Sequence, residues 1–207
     1  METPKTREPT VFVVDDDDAV RTMVGRLIAS VGLCVETYGT AEEFLAAYKP
    51  SRPGCLVLDV RMPGMSGLEL QDKLAANHIG LPIVFLTGYG DVPMAVHCLQ
   101  EGAVHFIEKP FREQALLDAV HKALEQDRQR REEQARRADA RARLASLTDR
   151  EQDVLRLVVA GKANKEIAAE LGVSIKAIEA HRTRILSKMK VRRTVDLVRA
   201  VVLAGPV

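Results

Sequence analysis

TVFVVDDDDAVR, residues 10–21, decides the fold. Val11 to Val14 form a β-favouring run without polar alternation, which suits a strand covered on both faces. Four aspartates follow, and from Ala19 the chain turns amphipathic and helical. Adjacent carboxylates repel one another, so Asp15 to Asp18 require positive charge among them. A buried strand that runs into acids and then a helix is the start of a β-α unit, whose chemistry gathers at the strand's carboxyl end.

The unit recurs. Apolar runs fall at TVFVV (10–14), LCVETY (33–38), CLVLD (55–59), IVFL (83–86) and VHFI (104–107). Helical stretches are predicted at Ala19–Val31, Ala41–Ala47, Gly67–Ala76, Val92–Gln100 and Arg112–Leu124. Thr40-x-x-Glu43 and Ser66-x-x-Glu69 have the form of capping boxes at two of the starts. Five strand–helix repeats predict a doubly wound α/β domain with a five-stranded parallel sheet over residues 1–124.

Composition is that of a globular protein, with 46% hydrophobic and 29% charged residues. No apolar run approaches the roughly 18 residues of a membrane span, and the polar start METPKTREP is unlike a signal peptide. A cytoplasmic location without membrane association is expected. Cys34, Cys55 and Cys98 lack metal-ligand spacing and read as small buried hydrophobes. His78, His97, His105 and His121 also lack ligand spacing.

The overall charge of +1 conceals an asymmetry. Residues 1–124 carry 11 Lys/Arg against 17 Asp/Glu, a net of −6. Residues 125–146 carry 7 against 5, and residues 147–207 carry 12 against 7, a net of +5. Cation or phosphate chemistry is expected at the acidic end and a polyanionic partner at the basic end.

Between them, EQDRQRREEQARRADARARL (125–144) has no Gly or Pro and almost no large apolar residue. It reads as a charged helical linker over 125–146, solvated or continuing the fifth helix into a weak dimeric coil. From Leu147 to residue 207 four helices are predicted. Thr148-x-x-Glu151 opens the first, Asn164 can cap KEIAAELG, Ser174 can cap IKAIEAHRTRILSKMK, and Thr194 can cap VDLVRAVVL. The turn Leu171-Gly172-Val173 between the second and third makes a helix-turn-helix.

The strand-end rule brings four groups to one face of the first domain: the aspartates after Val14, Asp59, Thr87 and Lys109. Carboxylates from two strands flanked by a hydroxyl and an ammonium suit Mg²⁺ and a phosphoryl group, and the metal would relieve the repulsion.

VVDDDD, VLDVRMPGMSGLEL, VFLTGYGDVPMAV and GAVHFIEKPF resemble the receiver domain of bacterial two-component response regulators, over residues 10–124, most closely the FixJ-like subgroup. The resemblance implies a flavodoxin-like sheet of order 2-1-3-4-5. It implies that Asp15 and Asp16 hold Mg²⁺ together with Asp59 and the backbone carbonyl of Arg61, Asp16 directly and Asp15 through water. Asp59 is then the phosphoacceptor, Thr87 and Lys109 bind phosphoryl oxygens, and Phe106 is the aromatic switch. A cis Lys109–Pro110 peptide is implied as well. Asp17 and Asp18 fall to the first turn of the following helix, whose dipole favours them. Gly88 and Gly90 loosen the loop after Thr87.

LTDREQDVLRLVVAGKANKEIAAELGVSIKAIEAHRTRILSKMKV resembles the NarL/LuxR-type helix-turn-helix domain, over residues 147–203. The resemblance makes Ser174 to Met189 the DNA-recognition helix. Lys176, Glu179, Ala180 and Thr183 are placed toward base edges or adjacent backbone, Arg184 and Lys188 toward phosphates, and His181 and Arg182 complete its polar set. Glu179 opposes phosphate, so it is expected to accept from a cytosine amine.

Together the two resemblances imply a transcriptional response regulator. A sensor histidine kinase phosphorylates Asp59, the protein dimerises, and promoter DNA is bound to act on RNA polymerase, as an activator. Three other readings remain: a receiver that works without phosphorylation, an aspartyl-phosphate phosphatase, and a receiver acting only through protein contacts, which the complete DNA-binding domain disfavours. The second lacks the expected acid two residues after the nucleophile, where Arg61 stands.

Overall fold

The structure, a computed structural model, describes residues 8–88 and 102–205. The chain divides into two compact units, residues 1–130 and 131–207. In the first, β1 (Thr10–Val14), β2 (Cys34–Tyr38), β3 (Gly54–Asp59), β4 (Ile83–Thr87) and β5 (His105–Glu108) form one parallel sheet in the order β2-β1-β3-β4-β5. This is the expected doubly wound order. The predicted helix at Val92–Gln100, with Gly90, His97 and Cys98, lies outside the described residues.

Strand parity explains the continuous apolar runs. Phe12, Val14, Leu56, Leu58 and Phe85 face one core, packed against Phe44 of α2 (Ala41–Ala47) and Leu70 and Leu74 of α3 (Gly67–Ala76). Val11, Val13, Cys55, Val57, Val84 and Leu86 face the other, against Val24 and Ile28 of α1 (Asp18–Ser30) and Leu116, Val120 and Ala123 of α4 (Glu113–Ala145). With both faces covered, β1, β3 and β4 are buried along their whole length, which is why polar alternation is missing from them. Cys34, on the edge strand β2, is exposed rather than buried as expected.

Helix starts follow side-chain chemistry, with three differences from the sequence expectation. Ser66 and Glu69 form a reciprocal box, as do Thr148 and Glu151. Thr40 accepts from the Glu43 amide, but the Glu43 carboxylate reaches one residue further back, to the Gly39 N–H. Asp17 is the N-cap of α1 and not a first-turn residue, its Oδ1 accepting from the amides of Ala19 and Val20. Asn164 and Thr194 are first helical residues and cap nothing; both side chains accept from Arg182 instead.

The fifth predicted helix, expected to end at Leu124, continues to Ala145 as α4 because nothing in 125–144 breaks it. Its middle is exposed and carries the pairs Glu132–Arg136 and Glu133–Arg137 at helical spacing. Its ends are not solvated. Asp127 is buried in the first unit, where Oδ2 accepts from the Gly54 N–H at 2.9 Å, and Ala140 and Leu144 are buried in the second.

The second unit packs α5 (Asp149–Val159), α6 (Asn164–Leu171), α7 (Ile175–Lys188) and α8 (Thr194–Ala204) around Val154, Ile167, Ile178, Ile185 and Met189. Gly172 ends α6 in the left-handed region, at φ 64°, where a side chain would be strained. Two residues later Ser174 caps α7 by accepting from the Ala177 amide.

Candidate functional site

The first site is built by four strand ends, those of β1, β3, β4 and β5. Asp15 follows β1; its amide donates to the Tyr38 carbonyl, which turns the side chain inward until it is only 2% exposed. Its Oδ1 accepts from the Asp17 amide at 3.0 Å and its Oδ2 from Lys109 Nζ at 2.7 Å. Arg21, one turn into α1, donates to the Asp15 carbonyl and pairs with Asp18, which supplies the positive charge the acidic run requires. Asp16 is exposed.

Asp59 closes β3 and is buried. The chain leaves it through a tight contact: the Gly67 amide donates to the Val60 carbonyl, and a Cβ on Gly67 would lie 2.2 Å from the Asp59 carbonyl oxygen. Only glycine fits there, a constraint that its place at a helix start does not reveal in the sequence. Exposed Arg61 lies in the loop so defined. Thr87 closes β4, almost fully buried, and its carbonyl accepts from the Lys109 amide at 2.7 Å. That bond sets Lys109 beside the strand ends, with its Nζ 3.5 Å from Asp59 Oδ1. The Lys109–Pro110 peptide is cis.

Carboxylate oxygens of Asp15, Asp16 and Asp59 all lie within 4.8 Å of one another. Burial pushes the Asp59 carboxyl up to about 6, against the pull of Lys109 and with a further push from Asp15. Its Oδ1 is buried without a hydrogen-bond partner. Three carboxylates, one of them with a buried oxygen that has no hydrogen-bond partner, fit a hard divalent cation. Phe106 lies in β5, half-buried against the same core as Phe85, its register partner.

The second site is α7. Lys176, Glu179, Ala180 and Thr183 recur at spacings of three and four and are all exposed, as is Arg184. Ile178, Ile185 and Met189 point to the core. Two of the other expected contacts, Arg182 and Lys188, are engaged within the unit. Arg182 donates to Asn164 Oδ1 at 3.1 Å and Thr194 Oγ1 at 2.9 Å, tying α7 to the starts of α6 and α8. His181 is half-buried, with Nδ1 facing inward. Lys188 donates to Glu151 Oε2 at 2.6 Å and to the Ser146 carbonyl at 3.2 Å. By contrast, Lys165, Lys176, Arg184, Lys190 and Arg192 are exposed, and their side chains join no hydrogen bond or ion pair among the described residues.

The family description "Response regulator receiver domain" matches residues 11–121, and "Bacterial regulatory proteins, luxR family" matches residues 145–201. The chain belongs to the response regulators. Nodulation protein W of Bradyrhizobium diazoefficiens is 46% identical over 95% of this chain and 87% of its own length. The transcriptional regulatory protein FixJ of Azorhizobium caulinodans is 45% identical over 94% of this chain and 92% of its own. Among solved structures, the response regulator StyR is 47% identical, covers 94% of this chain and 98% of its own, and has a TM-score of 0.85. This response regulator thus joins a receiver domain to a LuxR-type DNA-binding domain and is a regulator of transcription. No helix among the described residues is long and apolar enough to cross a membrane.

Proposed function

We propose that Asp59 accepts a phosphoryl group from a sensor histidine kinase, and that this promotes dimerisation and binding to promoter DNA. The observation that carries the proposal is the buried Asp59 Oδ1, without a hydrogen-bond partner, at the end of a strand between Asp15, Asp16 and Lys109.

Above a pH of about 6 Asp59 is ionised, and one of its oxygens attacks phosphorus in line. The new P–O bond forms as the bond from phosphorus to the donor's imidazole nitrogen breaks, and the nitrogen keeps the electron pair. Asp15, Asp16, Asp59 and the carbonyl of Arg61 would hold Mg²⁺, which would supply charge neutralisation to attacker and phosphoryl oxygens. Lys109 gives the phosphoryl oxygens a point charge and Thr87 gives them a hydroxyl donor. Phe106 is the aromatic side chain that repacks when Thr87 is drawn toward the phosphoryl group.

On DNA, Lys176, Glu179, Ala180 and Thr183 face the major groove, with Glu179 accepting from a cytosine amine. Arg184 stays a phosphate contact and is joined by Lys165, Lys190 and Arg192. Lys188 and Arg182 act chiefly by holding α7 in place. Dimers spaced one helical turn apart suit half-site recognition, and the bound dimer activates transcription through RNA polymerase.

We read the pocket as a switch and not as a phosphatase, because the exposed Arg61 stands where a general acid is needed. The test is sedimentation and DNA binding with and without acetyl phosphate and Mg²⁺. Donor-dependent growth in mass and in affinity is expected from wild type and not from Asp59→Asn. Unchanged mass and affinity in wild type contradict the switch.

A further inference from the structure

The last two turns of α4 are built into the DNA-reading unit. Ala140 and Leu144 are buried in the same core as Ile178, Ile185 and Met189 of α7. Arg143 Nη1 donates to the carbonyl of Met189, the buried C-cap of α7, at 3.0 Å. Its Nε donates to Asp139 Oδ1 at 3.2 Å, and its Nη2 lies 2.5 Å from Asp139 Oδ2, so both edges of the guanidinium are held. Arg141 makes the matching contact on α8, donating to the Ala204 carbonyl at 2.7 Å. Lys188 returns the link by donating to the Ser146 carbonyl.

A helix's last carbonyls have no donors of their own, and a cation there meets both the missing hydrogen bond and the negative end of the dipole. Asp139 fixes the plane of the Arg143 fork, so the carbonyl is met from one direction. α7 spans 14 residues, about 21 Å, and a tilt of about 5° at its carboxyl end moves the far end by about 2 Å. That is enough to misplace base contacts.

We infer that Arg143 is a positioning residue for DNA reading: it fixes the carboxyl end of α7 and so the presentation of Lys176, Glu179, Ala180 and Thr183. Arg143 and Asp139 both precede residues 145–201, where the luxR-family match lies. The inference rests on α7 reading DNA. Arg143→Lys is not an equivalent substitution, since one ammonium cannot reproduce the fork that joins Asp139 to the Met189 carbonyl.

The test uses the full chain with acetyl phosphate and Mg²⁺, well below its unfolding temperature. Affinity is measured for a duplex selected from a random pool by the wild type and for its scrambled counterpart. Arg137→Ala removes the same charge from an exposed pair on the same helix and serves as the reference. Arg143→Ala is expected to bind the selected duplex about tenfold more weakly than this reference, with scrambled-duplex affinity within about twofold of it. Arg143→Lys stays closer to Arg143→Ala than to wild type. Asp139→Asn, which loosens the fork but leaves the guanidinium, loses discrimination in the same direction and serves where Arg143→Ala does not fold. Equal loss on both duplexes, or discrimination equal to that of Arg137→Ala, overturns the inference. If the wild type selects no duplex, DNA reading by α7 fails and the inference falls with it.

Discussion

Lys109 holds Asp15 more closely than it holds Asp59: its Nζ is 2.7 Å from Asp15 Oδ2 and 3.5 Å from Asp59 Oδ1. Asp15 is the more buried of the two carboxylates, so the ammonium goes where desolvation is greatest. Lys109 is thus chiefly Asp15's counter-ion, and the phosphoryl contact proposed for it would require it to shift.

Lys109→Met should therefore destabilise the receiver in chelator by about 2 kcal/mol, because a buried carboxylate loses its partner. Added Mg²⁺ should recover part of that loss by replacing the missing positive charge. Chemical denaturation of wild type and variant, each with Mg²⁺ and with chelator, measures both effects.

Asp59→Asn should stabilise the protein in chelator at neutral pH by about 2 kcal/mol, with the sign set by the raised pKa. The native state holds the Asp59 proton up to about pH 6, whereas the unfolded chain releases it near the ordinary 3.8. The cost of ionising Asp59 thus builds as pH rises between those values and is complete above them. The variant's advantage should shrink to nothing as pH falls below about 4. Unfolding curves from pH 4 to 8 follow the convergence.

Lys188 and Arg184 should behave differently, although both are cations on one helix. Lys188→Ala leaves buried Glu151 without its ammonium and should lower the stability of the DNA-binding unit by about 2 kcal/mol. Arg184→Ala should leave stability within about 0.5 kcal/mol and reduce the salt slope of DNA binding by about one unit. The Lys188 hydrogen bond, and then the Thr148 amide, hold the Glu151 carboxyl below its usual range. The stability this gives is present above the ordinary value of 4.5 and is lost as pH falls through the depressed one, so wild type and Lys188→Ala should converge in acid.

Glu179 is exposed on α7; on the proposed reading face its carboxylate would oppose phosphate and accept from a base amine. Glu179→Ala should relax preference at one base pair, at about 1–3 kcal/mol, while raising affinity for unrelated duplex. Selection from a random pool by wild type and variant, followed by comparison of the consensus sequences, checks this.

The sheet was legible because burial on both faces leaves an unmistakable pattern: runs such as Val11–Val14 and Leu56–Leu58 have no polar alternation to offer. The acidic pocket was legible because each of its residues is a strand's last residue or follows one closely. Features that depend on partners distant in sequence were not. Asn164 and Thr194 have the residue types of caps, yet Arg182 takes both acceptors. Asp127 looks solvated within a charged run, yet the Gly54 amide draws it into the interior. Lys188 looks like a phosphate contact until the Thr148–Glu151 box places a buried carboxylate beside it. Gly67 betrays its role only when the Asp59 carbonyl is seen against it.

The most direct test of Asp59 as phosphoacceptor is the intact mass of the protein after incubation with acetyl phosphate. With Mg²⁺, wild type should gain one phosphoryl group, lost again on treatment with hydroxylamine as an acyl phosphate is. Asp59→Asn, and wild type in chelator, should gain none. A phosphoryl group retained by Asp59→Asn, or wild type unmodified in Mg²⁺ under conditions that label another receiver, would contradict the assignment of Asp59 as phosphoacceptor.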